Sequence, residues 1–310
     1  MNKNIETLQN FSLKNMPNLD VAVLGALELF MTAKLPKYTV KFKKPLVVGS
    51  VNAAFTGRIL FSDKDVVFAD ESNFLEKLNN IKGIDGAILI SASGSKHAIV
   101  IARELKKRRI ETFLITNNEN APAKRYISKE NLFVFPKNRE PYTYNTSTYM
   151  GMMFGNTHED PTHIYNFLEK KTKKEIKKDF SKYDSYYLLV PEKFSEMKGM
   201  FLTKFDEMFQ PMISGRVFTF EESKHAKTVV RSNKELFISF GEENKFYGLT
   251  KNRMHITLPR EINYAGFLAI VYYVLGRIQA KYPPYFQKGI VSYCQNASKV
   301  FGYEIKPIVE

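Results

Sequence analysis

The chain has 310 residues with 44% hydrophobic and 25% charged content and a formal net charge of +14. That length accommodates two domains with separate cores, and the composition excludes a chain dominated by disorder. The apolar run 267–275 is far shorter than the roughly 20 residues of a membrane span, so no membrane partner is expected.

The N-terminus lacks the basic-then-apolar layout of a secretory signal, which predicts a cytoplasmic protein. Cys294 is the only cysteine, so there is no intrachain disulfide and no cysteine-built zinc site. The five histidines are scattered, and His158 and His163 have no third ligand in a recognisable spacing; no metal is expected. The densest basic run, residues 169–178, has acids mixed in and reads as a solvated helix face or connector. No nucleic-acid partner follows from it, whereas the overall positive charge suits an anionic small molecule.

In chain order, the first half predicts strands at 46–49, 86–90, 112–116 and 132–135 with helical patterns between them, then a helix over about 146–154. A polar segment closed by Pro161 marks a boundary, giving domains 1–155 and 156–310. The second half repeats the scheme, with strands at 186–190, 216–220, 236–240 and 254–258, a helix over 196–209 and a long helix over 263–279. This alternation predicts an α/β fold, each half a parallel sheet flanked by helices on both faces.

One segment carries more information than the rest. The apolar run Ala87-Ile88-Leu89-Ile90 breaks into Ser91-Ala92-Ser93-Gly94-Ser95-Lys96 and then becomes a helical pattern. Hydroxyls and backbone N–H groups converging on a helix N-terminus attract an anion such as a phosphate ester, although a capped helix after a buried strand explains the same residues. Upstream, Val47-Val48-Gly49-Ser50 followed by an Ala-rich segment has the same layout. Two such loops side by side at the carboxyl edge of a parallel sheet would form a ligand crevice. Ser50, Ser91, Ser93, Ser95 and Lys96 are the candidate phosphate-binding residues.

Two α/β halves, this serine loop and the later segment Glu222-Ser223-Lys224-His225 together resemble the sugar isomerase (SIS) family. The similarity is to its double-domain branch, which includes the isomerase part of glucosamine-6-phosphate synthase. The family loop reads approximately Ser-Gln-Ser-Gly-Glu-Thr; here Ala92 and Lys96 replace its Gln and Thr. The family's Glu-Leu-Lys-His-Gly-Pro signature lies over residues 222–227 without the Gly-Pro pair.

The resemblance implies His225 as the residue that opens the sugar ring and Glu207, on the preceding helix, as the base that moves a proton between C1 and C2. Asp206 competes for that second role. Lys306 would stand for the lysine of the family's C-terminal tail. The implied activity is isomerisation of a hexose 6-phosphate such as fructose 6-phosphate, or the related deamination of an amino-sugar phosphate, by a homodimer without cofactor or glutaminase activity. A sugar-phosphate-binding regulator without turnover is the other reading.

Overall fold

The structure is a computed structural model describing residues 2–209 and 211–310. In chain order its elements are α1 (Lys3–Asn10), α2 (Leu19–Phe30), β1 (Leu46–Val48), α3 (Asn52–Phe61), β2 (Val67–Ala69), α4 (Phe74–Asn80), β3 (Ala87–Ile90), α5 (His97–Lys107), β4 (Thr112–Thr116), β5 (Leu132–Val134), β6 (Glu140–Pro141) and α6 (Thr146–Thr157). They continue with α7 (Pro161–Phe167), α8 (Lys173–Glu175), β7 (Ser185–Val190), α9 (Lys198–Phe209), β8 (Ser214–Thr219), α10 (Phe220–Ser223), β9 (Glu235–Phe240), β10 (Arg253–Ile256), α11 (Tyr264–Gln279), α12 (Tyr285–Phe301) and β11 (Ile308–Val309).

The chain divides into two compact units. A five-stranded unit comprises Ala33–Lys137 and Thr148–His158; a four-stranded unit comprises Met1–Thr32, Asn138–Ser147 and Glu159–Glu310. This division differs from a single cut after residue 155, because the N-terminal helices and residues 138–147 pack with the later part of the chain.

In the five-stranded unit all strands are parallel, in the order β2-β1-β3-β4-β5. Parallel strands covered on both faces read as continuous apolar runs, and every residue of β3 is at most 1% exposed. Helix α3 lies so close to β1 that a Cβ added to Gly57 would fall 2.7 Å from Val47 Cγ1. The chain leaves β1 towards β2 and later returns to β3 on the other side of β1. That reversal opens a crevice at the carboxyl ends of β1 and β3.

The four-stranded unit has a parallel sheet in the order β10-β9-β7-β8 and a separate antiparallel pair of β6 and β11. Helix α11 is apolar on nearly every side, the signature of a core helix, and its residues from Ala265 to Gly276 are all buried. Glu159 caps its N-terminus, accepting from the backbone N–H groups of Asn263, Ala265 and Gly266 at 2.7, 2.9 and 3.1 Å. Helix α2 crosses α11 at Gly276, where an added Cβ would sit 2.0 Å from the Asp20 nitrogen. Among the described residues no helix is long and apolar enough to cross a membrane.

Candidate functional site

In the five-stranded unit, Val48 pairs with Leu89, so the residues that follow this pair, Gly49-Ser50 and Ile90-Ser91, emerge side by side. They open onto a cavity of about 140 Å³ whose lining includes Ser50, Ser91, Ser93, Ser95 and Lys96. The structure therefore brings the five candidate phosphate-binding residues together. A Cβ on Gly49 would approach the Ala53 carbonyl carbon to 2.8 Å, so only glycine lets the first loop lie this close to α3.

The two loops share a backbone geometry. Val51 (φ 48, ψ −113) and Lys96 (φ 51, ψ −124) each stand immediately before a helix in a conformation that L residues rarely adopt. Such residues cost on the order of 1–3 kcal/mol each and cluster at ligand sites. The second loop is held from behind: the Ala92 carbonyl accepts from Asn117 N–H and Thr116 Oγ1, the Ser93 carbonyl from Asn118 Nδ2 and the Gly94 carbonyl from Ala123 N–H. Ser91 Oγ accepts from Gly94 N–H at 3.2 Å, and Ser93 Oγ lies 2.6 Å from Ser95 Oγ.

With the carbonyls engaged behind, the hydroxyls and Lys96 face the cavity. Burial pushes the Lys96 ammonium below its ordinary pKa, and a doubly charged phosphate would restore the charged form. His97 and Tyr149 also line the cavity. Sequence patterns did not single out Tyr149, which a helix of the same unit delivers from 58 residues beyond Ser91; no local signal marks it.

The four-stranded unit holds the other candidates. Glu207 lies on α9 beside a cavity of about 430 Å³ lined by Thr143, Asp206, Phe286, Ile290 and Tyr293 among others. Lys204, one turn earlier and 0% exposed, donates to Glu207 Oε2 at 2.7 Å and to the carbonyls of Thr143 and Tyr144 at 2.5 and 3.0 Å. A buried ammonium needs this many acceptors. Thr143 is itself left-handed (φ 74) and its buried hydroxyl has no hydrogen-bond partner among the described residues.

Glu140 closes the loop that carries these carbonyls. Its buried carboxylate accepts from the N–H groups of Thr146 and Ser147 at 2.7 Å each and from Ser147 Oγ. Burial raises the Glu140 pKa, against the pull of these bonds and of the Lys204 charge.

His225 is placed differently. Parallel β7 and β8 require α9 to run back along the sheet, so Glu207, near the end of α9, stands at the amino edge where β8 begins. His225 follows β8 and α10 at the carboxyl edge, where Glu222 pairs with Lys198 at the start of α9. Between those edges β8 spans about 16 Å, five steps of about 3.3 Å. Within one chain Glu207 and His225 do not meet.

Lys306 is exposed, and its carboxylate neighbour is Glu304 at 3.9 Å. The adjacent Pro307 carbonyl accepts from Tyr142 N–H at 2.8 Å, and the Tyr142 ring lies 6.2 Å from that of Tyr293 on the Glu207 cavity. The tail thus runs beside the wall of that cavity. Among the described residues no three His, Cys, Asp or Glu side chains gather closely enough to hold a metal ion.

No protein-family model matches the sequence, and no curated protein sequence does. Solved structures do match. The C-terminal domain of glucosamine-fructose-6-phosphate aminotransferase from Francisella tularensis aligns over 90% of this chain and 99% of its own, with a TM-score of 0.64 and 11% identity. Glucosamine-6-phosphate deaminase from Thermotoga maritima aligns over 90% and 94%, with a TM-score of 0.57 and 16% identity. Tagatose-6-phosphate ketose/aldose isomerase from Escherichia coli aligns over 89% and 88%, with a TM-score of 0.56 and 14% identity. At these identities the likeness is one of fold: the chain has the double α/β architecture, two parallel sheets flanked by helices, that these sugar-phosphate proteins share.

Proposed function

We propose that the protein binds a hexose 6-phosphate such as fructose 6-phosphate and interconverts its aldose and ketose forms, or removes ammonia from the corresponding amino sugar. The observation that carries this reading is the cavity at the carboxyl edge of β1 and β3, where Ser50, Ser91, Ser93, Ser95 and Lys96 converge. Its volume of about 140 Å³ suits a phosphate group. The structural neighbours with sugar-phosphate activities in their names support the same substrate class.

In this reading the phosphate anchors the substrate and His225 moves the proton that opens the hemiacetal. Glu207 then takes a proton from the carbon next to the carbonyl and returns it to the neighbouring carbon, and Lys306 or Lys96 offsets the charge of the enediolate. Lys204 holds the Glu207 carboxylate in place. Because Glu207 and His225 lie on opposite edges of one sheet, a site using both takes them from two chains, and we assign the working protein as a cytoplasmic homodimer.

A second reading, a sugar-phosphate-binding regulator without turnover, draws on one observation: the Glu207 carboxylate is already paired with a buried lysine. Turnover of fructose 6-phosphate, glucose 6-phosphate, mannose 6-phosphate and glucosamine 6-phosphate by the purified protein separates the two. The isomerase reading expects conversion of at least one, and stabilisation by a sugar phosphate with no conversion of any selects the regulator.

A further inference from the structure

A second cavity in the five-stranded unit is unrelated to the serine loops. It measures about 520 Å³, more than three times the loop cavity, and lies between residues 34–37 and the C-terminal end of α6. Leu35, Pro36 and Phe154 form an apolar floor, and the charged or titratable groups on its rim are Lys34, Lys37 and His158. No carboxylate lines it among the described residues.

The surroundings reinforce this bias. The five-stranded unit has 19 Lys and Arg against 10 Asp and Glu, so it carries most of the chain's net +14.

We infer that this cavity is a binding site for an organic anion with a flat apolar body, an aryl carboxylate or sulfonate being the simplest form. The body packs on Leu35, Pro36 and Phe154 while the anionic group meets Lys34 and Lys37. The apolar floor excludes inorganic phosphate as a good ligand, since phosphate alone leaves that surface wet. The 140 Å³ serine-loop cavity is too small for the body of such a ligand. The two sites therefore take different anions.

The test is a fluorescence titration of the full chain with 8-anilinonaphthalene-1-sulfonate, an aryl sulfonate. Both lysines are exposed, so Lys34→Glu with Lys37→Glu leaves the fold intact, as an unchanged far-ultraviolet circular dichroism spectrum would verify. Lys34→Gln with Lys37→Gln serves if the charge reversal does not fold. Loss of both lysines weakens the probe about tenfold, which is about 1.4 kcal/mol and within what two exposed ion pairs contribute. Inorganic phosphate leaves its binding unchanged, and so does Ser91→Ala with Ser93→Ala. No saturable binding, affinity indifferent to both lysine pairs, or displacement by phosphate overturns the assignment.

Discussion

Lys204 donates to Glu207 Oε2 at 2.7 Å from a fully buried position, and the Glu207 side chain is only 23% exposed. The pair joins α9 to the left-handed turn at Thr143, whose carbonyl is a second acceptor for the same ammonium. Removing the cation leaves a carboxylate and two carbonyls without their donor. Lys204→Met, which keeps most of the volume, is expected to lower stability by about 3 kcal/mol. Urea denaturation measures it, and a loss under about 0.5 kcal/mol, the range of a neutral surface change, would mean that the ammonium is not buried as described.

Gly94 has φ 62, and an added Cβ would lie 2.3 Å from Ala121 Cβ. Backbone strain and overpacking act together in Gly94→Ala, with an expected cost of about 3 kcal/mol. The same change should weaken phosphate binding, because it displaces Ser93 and Ser95 on either side. Denaturation and phosphate titration of one variant check both effects, and a variant as stable as the parent would contradict the loop geometry.

If the serine loops bind phosphate as proposed, Lys96 gives that site a pH dependence. Burial lowers its pKa in the folded chain below the ordinary 10.5. Between that lowered value and 10.5 the unfolded chain binds more protons, so stability of the free protein rises with pH across this window. A bound phosphate favours the charged ammonium, so phosphate affinity is highest below the lowered pKa and falls as pH rises through it. Lys96→Met should flatten that decline. Calorimetric titration with inorganic phosphate across the alkaline range reads it, and a parallel decline in parent and variant would remove Lys96 from the site.

The buried strands were legible because parallel strands covered on both faces are continuous apolar runs: Ala87-Ile88-Leu89-Ile90 cannot be mistaken for a solvent-facing strand. Strand β2, three residues beyond the polar Ser62-Asp63-Lys64-Asp65, carries too short a signal, and β6 and β11 have two residues each. The serine loops were legible because a loop inherits its place from the strand before it. The bonds from Lys204 to Thr143 and Tyr144 were not, since their partners lie 61 and 60 residues apart. The same holds for the packing of α2 on α11, where Gly276 admits the Asp20 backbone across the length of the chain. Placing Glu207 and His225 at opposite edges needed the strand order, which the motifs do not contain.

That separation bears on assembly. If each working site takes Glu207 from one chain and His225 from another, then Glu207→Gln and His225→Asn variants are each inactive but complement on mixing. Random reassociation makes half the dimers mixed, each with one intact site, so about a quarter of the parent turnover should return. No recovery after subunit exchange, with exchange verified by a size or mass tag, would contradict a site shared between chains.

The proposed reaction requires Glu207 to move the proton in an aldose–ketose conversion. The direct measurement is exchange of a C1 hydrogen of fructose 6-phosphate, or of the C2 hydrogen of the aldose phosphates, with deuterated solvent, followed by nuclear magnetic resonance in the parent and in Glu207→Gln. Exchange is expected in the parent, with a loss of at least about a hundredfold in the variant, the scale of a removed general base, and with phosphate binding retained. Equal exchange in both proteins would contradict the assignment of Glu207. Absence of exchange in the parent with any of the four sugar phosphates, despite binding, would contradict the isomerase.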